Sequence, residues 1–205
     1  MTKRTRRALL FLPFAFVIAC GGGKPINPVS FVEKFNALKS RHRIEAALEF
    51  LSDDCVLEKP GVLKVEGKAK IREYYEYEKA LRSRLVFSGY TFKQGERAGL
   101  VSCRVYEQNA FQRAAGLPEY VYTSWEYTLA DGRIKRIIGT RSEETARAVA
   151  EFNDFFQGWL RVHPEVTKQL IDAEGNAIYS RENADLIVSL VEKYRASLTI
   201  IDEGA

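Results

Sequence analysis

Two strand candidates carry polar side chains that could perform acid–base chemistry. Tyr122, Ser124 and Glu126 share one face of the first candidate, because side chains alternate along a strand. Arg104 and Tyr106 share a face of the neighbouring candidate. These side chains could line a polar pocket mouth, with Glu126 as the acid–base group. The interpretation we favour is simpler: Glu126 and Arg104 form a cross-strand ion pair or belong to a solvated face.

A helical stretch adds three tyrosines, Tyr74, Tyr75 and Tyr77, which could stack on a ligand. At helical spacing, the alternative is ordinary packing with hydroxyls that reach water. The sequence contains no nucleophile–base pairing, glycine-rich phosphate loop or paired-carboxylate motif. Chemistry from a standard catalytic motif is therefore not predicted.

The N-terminus has the pattern of a targeting segment. A basic stretch, MTKRTRR, precedes the apolar run ALLFLPFAFVIA, which is short for a membrane span and is interrupted by Pro13. The run ends in Val17-Ile18-Ala19-Cys20, which resembles a bacterial lipobox. The resemblance implies that residues 1–19 are a lipoprotein signal peptide and that Cys20 becomes lipidated. An ordinary signal peptide that is cleaved beside a cysteine is the alternative.

Lipidation of Cys20 would determine where the protein resides. Two or three acyl chains anchor a protein stably, so we expect the membrane to be its partner through Cys20. Residues 20–28 then form a flexible tether that includes Gly21-Gly22-Gly23. Gly21 resembles the sorting pattern for the outer membrane of Gram-negative bacteria. The expected location is therefore the cell envelope, at the outer membrane facing the periplasm.

The remaining cysteines and histidines show no metal-ligand spacing. They are Cys55, Cys103, His42 and His163, and we predict neither a metal site nor a cofactor. The oxidising envelope permits a disulfide between the two cysteines. Both lie on the apolar side of strand-like runs, which favours buried free thiols.

Length and charge limit the remaining possibilities. A chain of 205 residues has room for one ordinary domain and an extension. It holds 31 Lys and Arg against 27 Asp and Glu, and the excess of four equals the basic residues of the targeting segment. The remainder is balanced, which argues against nucleic-acid binding.

The clearest structural signal is a hairpin between Glu119 and Glu143. Asp131-Gly132 supplies the pair that a type I′ turn requires, since both central residues need φ > 0. The strand before the turn alternates in period two. One face is predicted to hold Val121, Thr123, Trp125, Tyr127 and Leu129, and the other Tyr120, Tyr122, Ser124, Glu126 and Thr128.

The other elements surround this hairpin. Two helices are expected first, one of them starting at a Ser30–Glu33 capping box. They are followed by a short strand from Cys55, a strand at residues 62–66, a helix with Ile71, Tyr74, Tyr75, Glu78 and Leu81, and strands at residues 85–93 and 100–111. Segregated helices and an antiparallel meander indicate an α+β fold.

The stretches LSDDCVLEKPGVLKVEGKAKIREYYE and YTSWEYTLADGRIKRIIGTRSE resemble the nuclear transport factor 2-like superfamily, in its SnoaL-like and ketosteroid isomerase branch. The resemblance covers residues 29–143. It implies a curved antiparallel sheet wrapped on helices, forming a cone with one pocket. Residues 144–198 form a C-terminal helical extension, in which Phe155 and Trp159 either anchor a partner or widen the packed face, and residues 199–205 form a tail.

The resemblance also identifies the positions where an isomerase would carry its catalytic groups. The oxyanion-donor tyrosine corresponds to Phe35, the general base to Lys59 and the second donor to Ser124. All three positions hold a different residue, so the isomerase mechanism is not expected. We predict no catalytic residues and favour a protein without enzymatic activity.

Three functions stay open. The leading hypothesis is an envelope lipoprotein whose domain binds a small apolar ligand or a protein partner without catalysis. The pocket-lining candidates are Phe35, Lys59, Tyr74, Arg104, Tyr106, Tyr122, Ser124 and Glu126. The second is a SnoaL-like isomerase, cyclase or hydrolase acting on a small cyclic substrate. The third is a structural module that forms a homodimer through its sheet face.

The anchor can be tested directly. Replacing Cys20 with serine removes the thiol that would accept the diacylglyceryl group, so Cys20→Ser should abolish acylation and lipoprotein maturation. Labelled palmitate and blotting of membrane fractions measure both. Cys55→Ser is the matched control and should be labelled like the wild type. Unchanged labelling of Cys20→Ser would refute the assignment.

Overall fold

The computed structural model describes residues 27–95, 98–173 and 177–202. The predicted signal peptide, Cys20 and most of the tether lie outside the described residues. In chain order the elements are α1 Pro28–Ser40, α2 Ile44–Leu48, β1 Leu51–Lys59, β2 Leu63–Glu66, α3 Lys68–Ala80, β3 Arg84–Gln94, β4 Gly99–Gln108, α4 Ala110–Ala115, β5 Tyr120–Ala130, β6 Arg133–Arg141, α5 Glu143–Arg161, α6 Pro164–Leu170 and α7 Arg181–Asp202. No helix among these residues is long and apolar enough to cross a membrane.

The strands form one curved, unclosed sheet in the order β2-β1-β6-β5-β4-β3. Strands β3 to β6 are an antiparallel meander, and β2 pairs antiparallel with β1. Strand β1 joins the meander by pairing parallel with β6. The predicted α+β class is confirmed, with this one parallel pairing added to the expected antiparallel sheet.

The central hairpin has the predicted turn but not the predicted alternation. Asp131 and Gly132 adopt φ values of 52° and 68°, as a type I′ turn requires. The predicted faces of β5 are wrong at its start, because the register shifts between Tyr122 and Ser124. This bulge puts Tyr122 on the same buried face as Trp125. Ser124 and Glu126 consequently lie on the opposite face.

Three further boundaries differ from the sequence-based expectation. Helix α1 is capped by Asn27, whose side chain accepts hydrogen bonds from Val29 N and Ser30 N, so the predicted Ser30–Glu33 box is not its start. Strand β1 begins at Leu51 rather than Cys55. Strand β4 ends at Gln108, short of the predicted end at residue 111, and a short helix, α4, follows it from an Asn109–Gln112 capping box.

The main core lies between the concave face of the sheet and helices α1 and α3. Phe35 packs edge-on against Tyr127 with ring centroids 5.9 Å apart. Gly139 leaves room for Trp125, since a Cβ there would lie 2.5 Å from the indole ring. Cys55 and Cys103 are buried free thiols, as favoured from the sequence, and burial raises the pKa of each to about 12.

The C-terminal helices build a second apolar cluster on α4. Phe156, Leu160, Leu190, Val191 and Tyr194 pack there with Ala115. Trp159 stacks between Phe156 and His163, with ring centroids 6.0 and 4.1 Å away, so it contributes to packing. Phe155 is 71% exposed. The extension is therefore docked on the domain rather than separate from it.

Candidate functional site

A partly open cavity of about 560 Å³ lies between the sheet, helix α3 and helix α5. Its volume is within the range of small-molecule sites. Tyrosines supply much of the wall: Tyr74 and Tyr77 from α3, Tyr120 and Tyr122 from β5, and Tyr179 from the segment before α7. Helix α5 closes one side with Ala146, Val149, Ala150 and Asn153. The C-terminal extension is thus part of the cavity wall.

Lys59 lies at the base of this cavity. It is the last residue of β1, and the Pro60-Gly61 turn follows it with Gly61 at φ 71°. The Lys59 side chain is 4% exposed. Its ammonium donates a hydrogen bond to the Tyr74 hydroxyl at 2.8 Å. Its Nζ atom also lies 3.5 Å from both Glu78 Oε1 and Glu107 Oε2.

A second lysine extends this contact into a buried chain of four charges. Lys39 Nζ on α1 lies 3.2 Å from Glu78 Oε2 on α3. The order Lys39–Glu78–Lys59–Glu107 therefore alternates in sign and crosses α1, α3, β1 and β4. We call these four residues the buried charge chain. Its charges cancel, as burial of ionised groups requires.

Neutral side chains complete the coordination of Glu107. The Tyr122 hydroxyl donates to Glu107 Oε2 at 3.0 Å, and the Asn109 amide donates to Oε1 at 3.0 Å. The Gln112 side-chain amide donates a hydrogen bond to the Glu107 backbone carbonyl at 3.0 Å and so fixes the end of β4. Both carboxylate oxygens are therefore occupied by donors within the protein.

Aromatic rings surround the two ammonium groups. Lys59 Nζ lies 5.3 to 5.4 Å from the ring centroids of Tyr74, Tyr122 and Trp125. Lys39 Nζ lies 4.8 Å from the Tyr75 centroid and 5.1 Å from that of Trp125. Such cation–π contacts partly replace the lost hydration of the charges.

The environment fixes the protonation states at the cavity base. Burial alone would lower the pKa of Lys59, but Glu107 and the neighbouring oxygens outweigh it and hold that pKa well above its usual value. Burial alone would raise the pKa of Glu107, but Lys59 and the donors lower it overall. Burial lowers the pKa of Lys39, and Glu78 opposes that shift. Burial also raises the pKa of Tyr74, and that of Tyr122 to about 12.

These shifts leave the groups at the base poorly suited to proton transfer. A protonated lysine cannot accept a proton, and a carboxylate with a lowered pKa is a weak base. A buried tyrosine with a raised pKa is a weak acid. The pKa shifts of Lys59, Glu107, Tyr74 and Tyr122 all lead away from neutral pH, as in an ion network that orders the site. Only the shift of Lys39, among these groups, has the opposite sense.

The structure divides the pocket-lining candidates into three groups. Lys59, Tyr74 and Tyr122 line the cavity. Phe35 lies in the core beside Tyr127. The other candidates, Arg104, Tyr106, Ser124 and Glu126, are not among the cavity-lining residues. Whether the lining residues contact a ligand stays a prediction.

The outward position of the last group, Arg104, Tyr106, Ser124 and Glu126, follows from the strands. Arg104 and Tyr106 alternate with buried Val105 and Glu107, and the β5 bulge turns Ser124 and Glu126 away from Tyr122. The Ser124 hydroxyl donates to Glu126 Oε1 at 2.9 Å. Among the described residues, Glu126 forms no ion pair with Arg104.

Sequence reasoning missed three members of the buried charge chain as site residues, Lys39, Glu78 and Glu107, although signals for the two glutamates were present. Glu107 follows Val101, Cys103 and Val105 at the same parity, so its carboxylate faces the core. Glu78 belongs to the buried stripe of α3 that includes Ile71 and Tyr75. A charged residue at an apolar position of a periodic pattern indicates a buried partner.

No group of three or more His, Cys, Asp or Glu side chains in residues 27–95, 98–173 and 177–202 is arranged to hold a metal ion. The two acidic members of the charge chain are already paired with lysines.

Comparison with known proteins found similarity only at the level of solved structures. No family model and no curated protein matches the chain. A candidate ketosteroid isomerase from Kribbella flavida is 16% identical, with 56% of this chain and 77% of that one covered and a TM-score of 0.46. A candidate polyketide cyclase from Pseudomonas putida is 19% identical, with coverages of 58% and 95% and a TM-score of 0.48. An epoxide hydrolase from M. tuberculosis is 14% identical, with coverages of 60% and 89% and a TM-score of 0.47.

With sequence identities and TM-scores this low, the activities named for these three proteins are not assigned to this chain. The fold described above rests on the strand order and packing of this chain.

The buried charge chain predicts a large stability cost for removing one carboxylate. Glu107→Gln keeps the side-chain shape but leaves two buried ammonium groups to share Glu78. We expect a loss of about 3–5 kcal/mol in the free energy of unfolding at neutral pH. Urea titration measures it. Glu126→Gln, on the outer face, is the control and should cost less than about 1 kcal/mol.

The same variant has a defined pH dependence. Because the folded pKa of Glu107 is lowered, its contribution is present above the unfolded pKa and is lost as the pH falls through the folded pKa. The stability difference between wild type and Glu107→Gln should therefore shrink in acid. A difference that is small at neutral pH and independent of pH would contradict the assignment.

Proposed function

We propose that this chain is an envelope lipoprotein, anchored through Cys20, whose cavity binds a small and partly apolar organic molecule without transforming it. The observation that carries the proposal is the mutual pairing of Lys59, Glu78 and Glu107 at the cavity base. Ionisable groups in this state can order a binding site, but they lack the free acid or base that turnover needs.

The shape and lining of the cavity support ligand binding. Its volume of about 560 Å³ is not filled by side chains, which disfavours a purely structural core. Tyr74, Tyr77 and Tyr179 form an aromatic group with centroid distances of 5.2 to 6.4 Å. Aromatic walls with hydroxyl tips suit a molecule that has both an apolar body and polar substituents.

A second candidate function is an enzyme of the SnoaL-like type acting on a small cyclic substrate. A specific observation favours it: a carboxylate, an ammonium and two tyrosine hydroxyls meet at the base of one cavity. Glu126, the acid–base candidate from the sequence, is not among the cavity-lining residues. Glu78 or Glu107, the two glutamates in the cavity lining, would therefore have to be the reactive group, and either would first have to leave its present partners.

Homodimer formation through the sheet face stays a prediction. It is independent of the cavity, and both functions above are compatible with it.

Ligand binding can be tested with a neutral fluorescent probe, N-phenyl-1-naphthylamine. The probe should brighten on binding wild-type protein, and Ala150→Trp should reduce binding about tenfold or more, because a large side chain would occupy the cavity. Glu151→Trp places the same residue one position along α5, outside the cavity lining, and should bind like the wild type. Equal binding by all three proteins would place the probe elsewhere and contradict the proposal.

Catalysis can be tested with a β,γ-unsaturated ketosteroid, whose isomerisation is followed by ultraviolet absorbance. We expect no turnover above buffer, since Phe35 offers no donor and Lys59 is held protonated. Loss of one oxyanion donor alone typically costs about a hundredfold or more in rate. Turnover that Lys59→Ala abolishes and the surface control Lys64→Ala retains would overturn the non-catalytic proposal.

A further inference from the structure

Arg141 differs from the other charged residues of the cavity because its charge is not matched. It ends β6, lines the cavity and stacks on Tyr120, with its guanidinium carbon 4.8 Å from the ring centroid. Its Nε atom is buried and has no hydrogen-bond partner. Among the described residues no carboxylate pairs with it, whereas Arg136 on the same strand pairs with Glu58.

An unpaired guanidinium in a cavity has a clear chemical consequence. A buried donor without an acceptor costs free energy, so buried donors are usually satisfied. The nearby carboxylate of Glu107 is already engaged by Lys59, Tyr122 and Asn109. Among the described residues no side chain offers Arg141 Nε an acceptor, which leaves this position to a ligand. Guanidinium groups favour carboxylates, because two parallel N–H groups can bind both oxygens.

A second chamber adjoins this cavity. It has a volume of about 250 Å³ and lies among α5, α6 and α7. The two chambers share four lining residues: Tyr77, Phe111, Asn153 and Tyr179. Beyond them, the second chamber is largely apolar, with Phe156, Leu160, Leu170 and Ile187 in its wall.

Helix α5 fixes the order of the two chambers. Ala146 and Ala150 face the first chamber, Asn153 borders both, and Phe156, Gln157 and Leu160 face the second. At a rise of 1.5 Å per residue, Ala146 and Leu160 are about 20 Å apart. Arg141 precedes this helix. The cationic group and the apolar chamber therefore lie towards opposite ends of a path along α5.

We propose that the ligand is an amphiphilic monocarboxylate, with its carboxylate on Arg141 and its apolar body extending along α5 past Tyr179 into the second chamber. This inference rests on the proposed function, since it specifies the ligand of the same cavity. Charge complementarity selects the head group, and the apolar second chamber selects a chain or an extended ring system as the body.

The test uses purified full-length protein and displacement of bound N-phenyl-1-naphthylamine by decanoate or by decan-1-ol. The two competitors share a similar chain and differ in the head group. In the wild type, decanoate should displace the probe at a concentration about tenfold lower than decan-1-ol. Arg141→Gln should remove that preference. Because Arg141 lines the cavity, the readout is the ratio of the decanoate and decan-1-ol concentrations within each protein, from which any change in probe affinity cancels.

Two further variants separate charge from structure. Arg141→Lys keeps a cation and should retain part of the preference, whereas Arg104→Gln removes an exposed arginine outside the cavity lining and should retain all of it.

Gln157→Trp narrows the second chamber and should weaken dodecanoate binding more than hexanoate binding.

The outcomes distinguish this inference from the function on which it rests. Failure of the probe to bind wild-type protein would overturn the proposed function and the inference together. Probe binding with equal displacement by acid and alcohol, or a preference for acid that survives Arg141→Gln, would overturn only the carboxylate assignment. Equal effects of Gln157→Trp on both acids would overturn the path into the second chamber.

Discussion

The buried charge chain is the constraint on which the centre of this domain depends. Transfer of an ion from water to a protein interior costs several kcal/mol, and only a close and complete set of partners offsets that cost. Lys39, Glu78, Lys59 and Glu107 supply these partners to one another because four elements deliver them to one place. The set is not complete, since Lys39 Nζ has its ion pair with Glu78 but no hydrogen bond. Displacing any one element would leave an uncompensated buried charge. The network therefore fixes how α1 and α3 sit on the sheet.

The same network determines the character of the cavity. Its base is rich in groups that could take part in catalysis, but each is held in the charge state and hydrogen bonds that stabilise its partners. Arg141 stands apart, because it lines the cavity, its Nε atom has no hydrogen-bond partner, and no carboxylate in the described part of the chain pairs with it. The structural charges are balanced internally, and the unbalanced one lies where a ligand would reach it. Helix α5 links this position to a second, apolar chamber, so the C-terminal extension belongs to the site.

Much of the fold could be predicted from local patterns, and the errors have identifiable physical causes. The Asp131-Gly132 turn followed from its φ requirements, and the helical stripe of α3 followed from its periodicity. The alternation of β5 was wrong because a bulge between Tyr122 and Ser124 reverses its faces without any marker in the sequence. That single residue separates Tyr122, which lines the cavity as predicted, from Glu126, which does not. Helix α1 began earlier than predicted because Asn27 offers a cap next to Pro28.

The sequence by itself determined the α+β class, the hairpin, the order of the helices and the lack of a standard catalytic motif, since each depends on neighbours along the chain. It also supports the lipoprotein assignment, which lies outside the described residues. Only the tertiary structure decided which charges meet. Lys39, Glu78, Lys59 and Glu107 come from four separate elements, and their protonation states depend on burial and mutual distance. Burial and the distances between these charges cannot be inferred from neighbouring residues, because both are set only when the sheet packs on α1 and α3.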